Sequence, residues 1–327
     1  MTPGYLSLSL GVLVAGLMLI SMNLGASSTS LLDLLDAQRS DAVALVLLEI
    51  RLPRTLIAAL AGASFGICGA AMQGLLRNPL ASPGLIGSSS GAALGAIIIL
   101  YLGFGEWSWM LMPSGGMLGA LLAMVLVYLL AGRDASIVTI VLAGVAVNSL
   151  AVALMSLILN LAPSPYAVRE IVLWTLGSVS NLGMNDLWVM LPVTALGWLL
   201  FLGTGKSLEL LTLGEDTARS MGVNLLLLRT RLFLAVALSI GAAVSVTGAI
   251  GFIGLVIPHL LRPLVGYRPG RLLGVSALGG AAMLLAADIV VRLMPPGPEI
   301  RIGVLTAIVG APFFLFLILK TRRWQLY

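Results

Sequence analysis

The chain is short of nearly everything that soluble chemistry uses. Its 327 residues include one cysteine and one histidine, with 13 acids against 18 lysines and arginines. A single cysteine excludes a disulfide or thiolate–metal framework, and a single histidine excludes a His-rich metal site. Charged residues make up 9%, where a soluble globular chain carries roughly 25%. One His and one Cys also leave little from which to build a nucleophile–base pair or a metal-activated water. What fills the gap is apolar. Hydrophobic residues make up 59%, mean hydropathy is +1.10, and apolar runs of about 20 residues recur, the length that crosses a bilayer as a helix. A net charge of +5 in such a chain bears on orientation across a membrane, with lipid as a partner and nucleic acid not expected.

Taken in order, the runs predict an all-α integral membrane protein, a single transmembrane domain over 1–327 with about ten helices. They fall at roughly 5–25, 52–76, 86–104, 113–132, 136–160, 186–203, 229–249, 252–266, 272–293 and 303–320. No Lys or Arg precedes Leu6–Leu24, and the run is long for a signal peptide's apolar core, so it reads as the first span. Amphipathic segments at about 38–50 and 167–178 adjoin the second and fifth spans, and the eighth is short enough to reach only part of the way across. With the N-terminus in the cytoplasm, the cytoplasmic side holds Arg77, Arg133, Lys206, Arg219, Arg229, Arg231, Arg262, Arg268, Arg271, Lys320, Arg322 and Arg323. The outer side holds Arg39, Arg51, Arg54, Arg169, Arg292 and Arg301. Twelve against six is the direction of the positive-inside rule, and it places both termini in the cytoplasm.

A fainter pattern is an internal repeat. Gly62-Ala63, Gly69-Ala70 and Pro79 recur 179 positions later as Gly241-Ala242, Gly248-Ala249 and Pro258. The two copies run in opposite directions across the membrane, which reads as the inverted repeat that many transporters use.

The most informative stretch is Arg51–Ala96. Arg51 and Arg54 cannot sit cheaply in hydrocarbon, so they mark a membrane surface. Gly62, Gly66, Gly69 and Ala70 leave one helix face nearly bare, open to close approach by a neighbour. Asn78-Pro79 and Pro83-Gly84 then break the helix in a segment that must face water or protein. Arg51-Leu52-Pro53-Arg54, Gln73, Asn78–Ala81 with Pro83 and Gly87, and Gly91-Ala92-Ala93 stand in one order. In that order they resemble the FecCD-type permease subunits of ABC importers for iron–siderophores, haem and cobalamin. The resemblance runs from about Arg51 to Lys320.

The longest hydrophilic stretch is Gly203–Asn224. Gly205-Lys206-Ser207 imitates the end of a phosphate-binding loop. Leu200 stands where its first glycine belongs, however, and a membrane helix precedes it in place of a strand, so no nucleotide site is expected. Further on, Glu215 and Asp216 suit the start of a short helix and Gly222 its end. Such a helix would present Glu215, Ala218, Arg219 and Met221 outward. Leu213-Gly214, Ala218-Arg219 and Gly222 match the family's coupling helix, here about 213–223, and the resemblance implies that Gly214, Glu215, Asp216, Ala218, Arg219, Met221 and Gly222 contact the ATPase.

The second diagnostic segment is Gly248–Gly266. Pro258 must kink or end its hydrogen-bond ladder, and His259 beside it reads as a cap for freed carbonyls. After Arg262 the chain departs from the family's Asp-His-Arg-x-x-x-Pro, offering Tyr267-Arg268-Pro269-Gly270-Arg271. Asp288 and Arg292, at i and i+4, can pair on one helix face. The resemblance assigns Arg51, Arg54 and Arg292 to docking of a binding protein, and guanidinium suits carboxylates. Arg301 replaces a proline usual in the family. By the same analogy the fifth and tenth helices line the path, with Ser136, Ile137 and Val138 at a cytoplasmic gate and Asn148 along it.

These features together imply a permease subunit of an ATP-driven importer in the bacterial inner membrane. It would work as two copies of this chain with two cytoplasmic ATPase subunits and a periplasmic substrate-binding protein, with no cofactor, metal or catalytic residue of its own. An iron–siderophore complex is the default cargo, with haem or cobalamin close behind. The rival is a secondary transporter without an ATPase, for which Asp288 is the one candidate ion-coupling acid. A second rival, an intramembrane enzyme, lacks the residues to build with.

Overall fold

The computed structural model describes residues 3–25, 30, 33, 40–132, 135–295 and 300–324. Arg39 and Arg133 of the charge count, and Glu299, lie outside the described residues. The described chain is helical, with no strand. Helix α1 spans Pro3–Asn23, and α2, Ser40–Leu45, passes through a π turn, Val46–Arg51, into α3, Leu52–Leu75. That wide turn lies just ahead of Pro53, whose ring cannot donate to the carbonyl one turn back and crowds it. Then follow α4 (Ser88–Tyr101), α5 (Leu111–Ala131), α6 (Ile137–Asn160), α7 (Pro165–Thr175) and α8 (Met184–Phe201). The polar stretch holds α9 (Thr204–Leu211) and α10 (Glu215–Ser220), and the chain ends with α11 (Leu225–Thr247), α12 (Ile253–Leu261), α13 (Pro269–Leu293) and α14 (Ile302–Trp324).

Seven of these helices, with Asp41–Leu75 taken as one, are long and apolar enough to cross a membrane. α4 and the apolar part of α14, Ile302–Phe316, are shorter, and α12 has nine residues. At 1.5 Å per residue α12 reaches about 14 Å, half of the hydrocarbon core. This is the partial crossing that the short eighth run implied.

α3 is the central helix, and small residues put it there. A Cβ added at Gly66 would lie 1.9 Å from the Ser276 carbonyl of α13, and one at Gly69 would lie 1.8 Å from the Gly254 carbonyl of α12. Gly254 is the carbonyl that Pro258, four residues on, cannot bond, so bare backbone on α3 meets a freed carbonyl on α12. The same device joins α4 to α5, where a Cβ at Gly95 would lie 2.1 Å from the Gly115 carbonyl.

The repeat is visible in packing order. α3 packs on α13 and α12, and α11 packs on α5 and α4, while α4 also packs on α5 and α12 on α13. Each half buries its leading helix in the other half. The residue register of the repeat does not hold, however. Gly62 and Gly241 both lie within helices, but α11 ends at Thr247, so Gly248 caps a helix end whereas Gly69 lies inside α3. Pro79 lies in a turn and Pro258 inside α12. The connection after α3 runs through a 3-10 turn, Pro83–Ile86, and that after α11 is only Gly248–Phe252, so the offset slips.

Candidate functional site

The face that carries α9 and α10 holds the stretch 213–223, which the family resemblance assigned to coupling. Gly214, with φ of 109°, turns the chain into α10, and Glu215 and Asp216 occupy its first turn. Gly222, with φ of 88°, ends it, with Val223 N–H donating to the Ala218 carbonyl and Gly222 N–H to that of Arg219. The helix and its glycine stop therefore match the sequence reading. The orientation corrects it. Ala218 is fully buried, and Glu215 turns inward to accept from Arg229 at 2.8 Å. The outward residues are Leu213, Asp216, Thr217, Arg219, Ser220 and Met221. A six-residue helix shows too little periodicity to choose a face, and the ion pair chooses it here.

Arg229 is the residue that the sequence reading passed over. It is buried on α11, donates to Glu215 of α10, and donates through its other terminal nitrogen to the Ala135 carbonyl at 2.9 Å. Ala135 directly precedes Ser136, the N-cap of α6, whose Oγ accepts from Thr139 N–H at 3.1 Å. One side chain thus ties α10 to the residue just ahead of the N-cap of the helix on which the gate was expected. A signal existed in the sequence: a cation in the first two turns of a helix opposes the dipole and needs a partner. Of the gate and path residues, Ser136 and Val138 are exposed and Ile137 and Asn148 half-buried. Asn148 lies twelve residues on, about 18 Å along the axis, so the structure does not bring it to the gate.

The break after α3 is built as expected. Asn78 Oδ1 accepts from Leu80 N–H at 2.9 Å, its carbonyl accepts from Ala81 N–H at 3.1 Å, and Pro79 lies within this turn. Pro83 opens the 3-10 turn that packs on α6, where Gly144 meets the Leu85 carbonyl. Gln73 accepts from Arg262 and donates to the Leu255 carbonyl at 3.2 Å, joining the ends of α3 and α12. His259 meets Phe313 of α14 edge-on, with ring centroids 6.3 Å apart.

At the opposite face, Arg51, Arg54 and Arg292 do converge, but inward. Arg54 clamps Asp288, with Nη2 at 2.7 Å and Nε at 3.0 Å from Oδ1, and Arg292 donates to Oδ2 of the same carboxylate. Asp288 is fully buried. Arg292 also donates to the Ser21 carbonyl at 2.8 Å, and Arg51 to that of Met22 at 2.9 Å. Gly25 leaves the room, since a Cβ there would stand 2.9 Å from the Arg51 guanidinium. Cations here meet the negative end of α1, and the carboxylate offsets the burial of charge. The i,i+4 pair was legible in the sequence. Arg54, 234 positions from Asp288, was not. Arg51 is 3% exposed and the Arg54 side chain 18%, so Arg54 keeps the most open guanidinium. A separate cavity of about 690 Å³ is lined by Trp109, Trp174, Glu170, Asp186 and Arg301, among others.

Buried carbonyl-to-glycine contacts, apolar outer faces and buried ion pairs at both ends define a multi-pass helical membrane protein built to pack in lipid. The FecCD transport family profile matches residues 12–320, and the chain belongs to that family. The hemin transport system permease protein HmuU of Yersinia pestis is 38% identical over 98% of this chain and 96% of its own length. The vitamin B12 import system permease protein BtuC of Salmonella typhi is 40% identical over 97% and 95%. A solved structure described as an inward-facing conformation of a metal-chelate type ABC transporter superposes with a TM-score of 0.85 at 31% identity. It covers 98% of this chain and all of its own. The role is that of an ABC permease rather than a self-powered secondary transporter.

Proposed function

We propose that this chain is the membrane subunit of an importer in the bacterial inner membrane that carries an iron–siderophore complex, haem or cobalamin. Two copies form the path, two cytoplasmic ATPase subunits drive it, and a periplasmic binding protein delivers the cargo. Both termini lie in the cytoplasm. The observation that carries this reading is the joint at Arg229, which ties the exposed helix α10 to the start of α6. When the ATPase moves α10, Glu215 pulls on Arg229, and Arg229 pulls on the backbone beside Ser136. Leu213, Arg219 and Met221, exposed on that segment, are the contacts that the ATPase grips.

At the outer face, docking centres on Arg54. An acidic residue of the binding protein competes there with Asp288 for a guanidinium, while Arg51 and Arg292 hold the site from behind. The secondary-transporter reading fares poorly at the same place, because both oxygens of its one candidate coupling carboxylate are taken up by two arginines.

The test is purification of the chain from its native membrane in mild detergent, with native mass spectrometry and uptake into proteoliposomes. The proposal expects an ATPase subunit to accompany the chain in equal number and uptake to require ATP. Uptake by the chain alone without ATP would overturn it.

A further inference from the structure

A second pocket lies on the face of α9 and α10, away from Arg229. It holds about 230 Å³ and is lined by Gln73, Arg77, Thr212, Arg262, Tyr267 and Pro269, among others, with no carboxylate in its lining. Two full guanidinium charges therefore face one small space. Arg262 is held in place by Gln73, a neutral acceptor that orients the guanidinium without cancelling it. Tyr267 adds a hydroxyl that can donate, whereas the Thr212 hydroxyl already donates to the Glu209 carbonyl at 2.7 Å.

The backbone adds an independent observation. Arg77 and Tyr267 have φ of 47° and 61°, two of the four non-glycine residues with positive φ among those described. Arg77 follows the end of α3, where Asn78 N–H donates to the Gln73 carbonyl, a place that glycine usually takes. After α12 and its 3-10 turn, glycine does take that place, at Gly266 with φ of 65°, and Tyr267 follows it, its N–H donating to the Arg262 carbonyl. A left-handed conformation is strained for a non-glycine residue, and here both side chains so placed line one pocket.

Helix ends do not cancel the charge. α3 and α12 finish at the pocket and each brings about half a negative charge, but α13 starts there at Pro269 and brings half a positive one. The Glu209 carboxylate, with Oε1 2.9 Å from where a Cβ on Gly270 would stand, lies beside Pro269 and offsets part of the rest, so the case for an anion with several acceptor oxygens rests on the two guanidiniums in the lining itself.

We propose that this pocket is an oxyanion site that takes a phosphate group, either inorganic phosphate or the head group of an anionic phospholipid. The proposal does not depend on the importer reading. Basic pockets between membrane helices on the cytoplasmic side are suited to phospholipid head groups, and the same donors would hold free phosphate. The test uses the full chain with Arg77→Gln and, as a second variant, Tyr267→Phe. Arg77 is exposed, so its replacement leaves the chain folded.

Thermal unfolding of the delipidated chain in detergent is followed against phosphate, with chloride at equal ionic strength as the control. In parallel, native mass spectrometry counts phosphatidylglycerol and phosphatidylcholine retained after release from nanodiscs. Phosphate raises the unfolding temperature above the chloride control, and Arg77→Gln weakens the effect roughly fivefold to tenfold, as loss of one partly exposed charge-assisted contact implies. Selective retention of phosphatidylglycerol, lost in Arg77→Gln, identifies the lipid as the source. A phosphate effect without lipid retention identifies the free ion. The proposal is overturned if phosphate acts no differently from chloride and no anionic lipid is retained. It is overturned equally if both variants behave as the parent chain does, or if an acidic residue of a copurified protein is cross-linked into the pocket in its place.

Discussion

Replacing Arg229 with methionine tests the joint between α10 and α6. Methionine keeps most of the apolar stem and removes both contacts, 2.8 Å to Glu215 and 2.9 Å to the Ala135 carbonyl. The Glu215 side chain is 25% exposed and takes water in exchange, so loss of the ion pair stays near the surface value of about 1 kcal/mol. The Ala135 carbonyl is buried, and an orphaned buried acceptor costs about 1–3 kcal/mol. The joint therefore weakens by roughly 2–4 kcal/mol, and each 1.4 kcal/mol is a factor of about ten in an equilibrium. Uptake per ATP hydrolysed, measured in proteoliposomes with the ATPase and the binding protein, falls at least about tenfold by this reckoning. ATP hydrolysis itself persists. Arg231→Met is the control, because Arg231 donates to the Leu200 and Leu202 carbonyls and makes no bond to α10. It lowers stability and leaves the ratio unchanged. Wild-type uptake per ATP in Arg229→Met would refute the reasoning.

Three further outcomes follow from the packing. Asp288→Asn leaves two guanidiniums without their carboxylate and destabilises the chain by about 3–5 kcal/mol, read as detergent unfolding, and adding Arg54→Gln restores part of that loss; an Asn variant within about 1 kcal/mol of the parent contradicts the buried triad. Gly69→Ala drives a methyl group to 1.8 Å from the Gly254 carbonyl and abolishes folded yield in size-exclusion chromatography, while Gly274→Ala, with nothing within 4 Å, is tolerated or mildly stabilising. Cys68, fully buried in α3, resists maleimide until the protein unfolds, so labelling at the native rate of an exposed thiol would show that α3 is not the central helix.

Much of the fold was legible because its signals are local. Apolar runs, Pro and Gly set the helices, and Glu215 with Gly222 bounded α10. The i,i+4 spacing gave Asp288–Arg292. What was hidden depends on which helices meet. The Arg54–Asp288 contact joins residues 234 apart and the Gln73–Leu255 contact residues 182 apart, and no window along the sequence sees both partners. The inward turn of Ala218 was hidden for the same reason, since Arg229 on another helix decides it. Pro79 and Pro258 misled in a different way. A shared proline between glycine-rich runs looks like register, yet the offset already fails in the leading helices, since Gly69 lies within α3 and Gly248 past the end of α11.

The distribution of bond types bears on how such a protein changes shape. Its long interfaces, α3 on α13 and α4 on α5, are contacts of backbone with backbone through glycine, shaped for closeness and holding few directional side-chain bonds. Dispersion across such a face changes little when helices slide by a fraction of a turn, so shear between them is cheap. The directional bonds stand at the helix ends: Arg54 and Arg292 on Asp288 at one face, Arg229 and the Gln73–Arg262 pair at the other. These decide which helices move together. α1, α3 and α13 are clamped as one group at one end, whereas α6, α10 and α11 are clamped at the other. A switch between two arrangements then needs no core repacking. It displaces one clamped group against the other while each keeps its own bonds, and breaking either set should uncouple the helices that it joins.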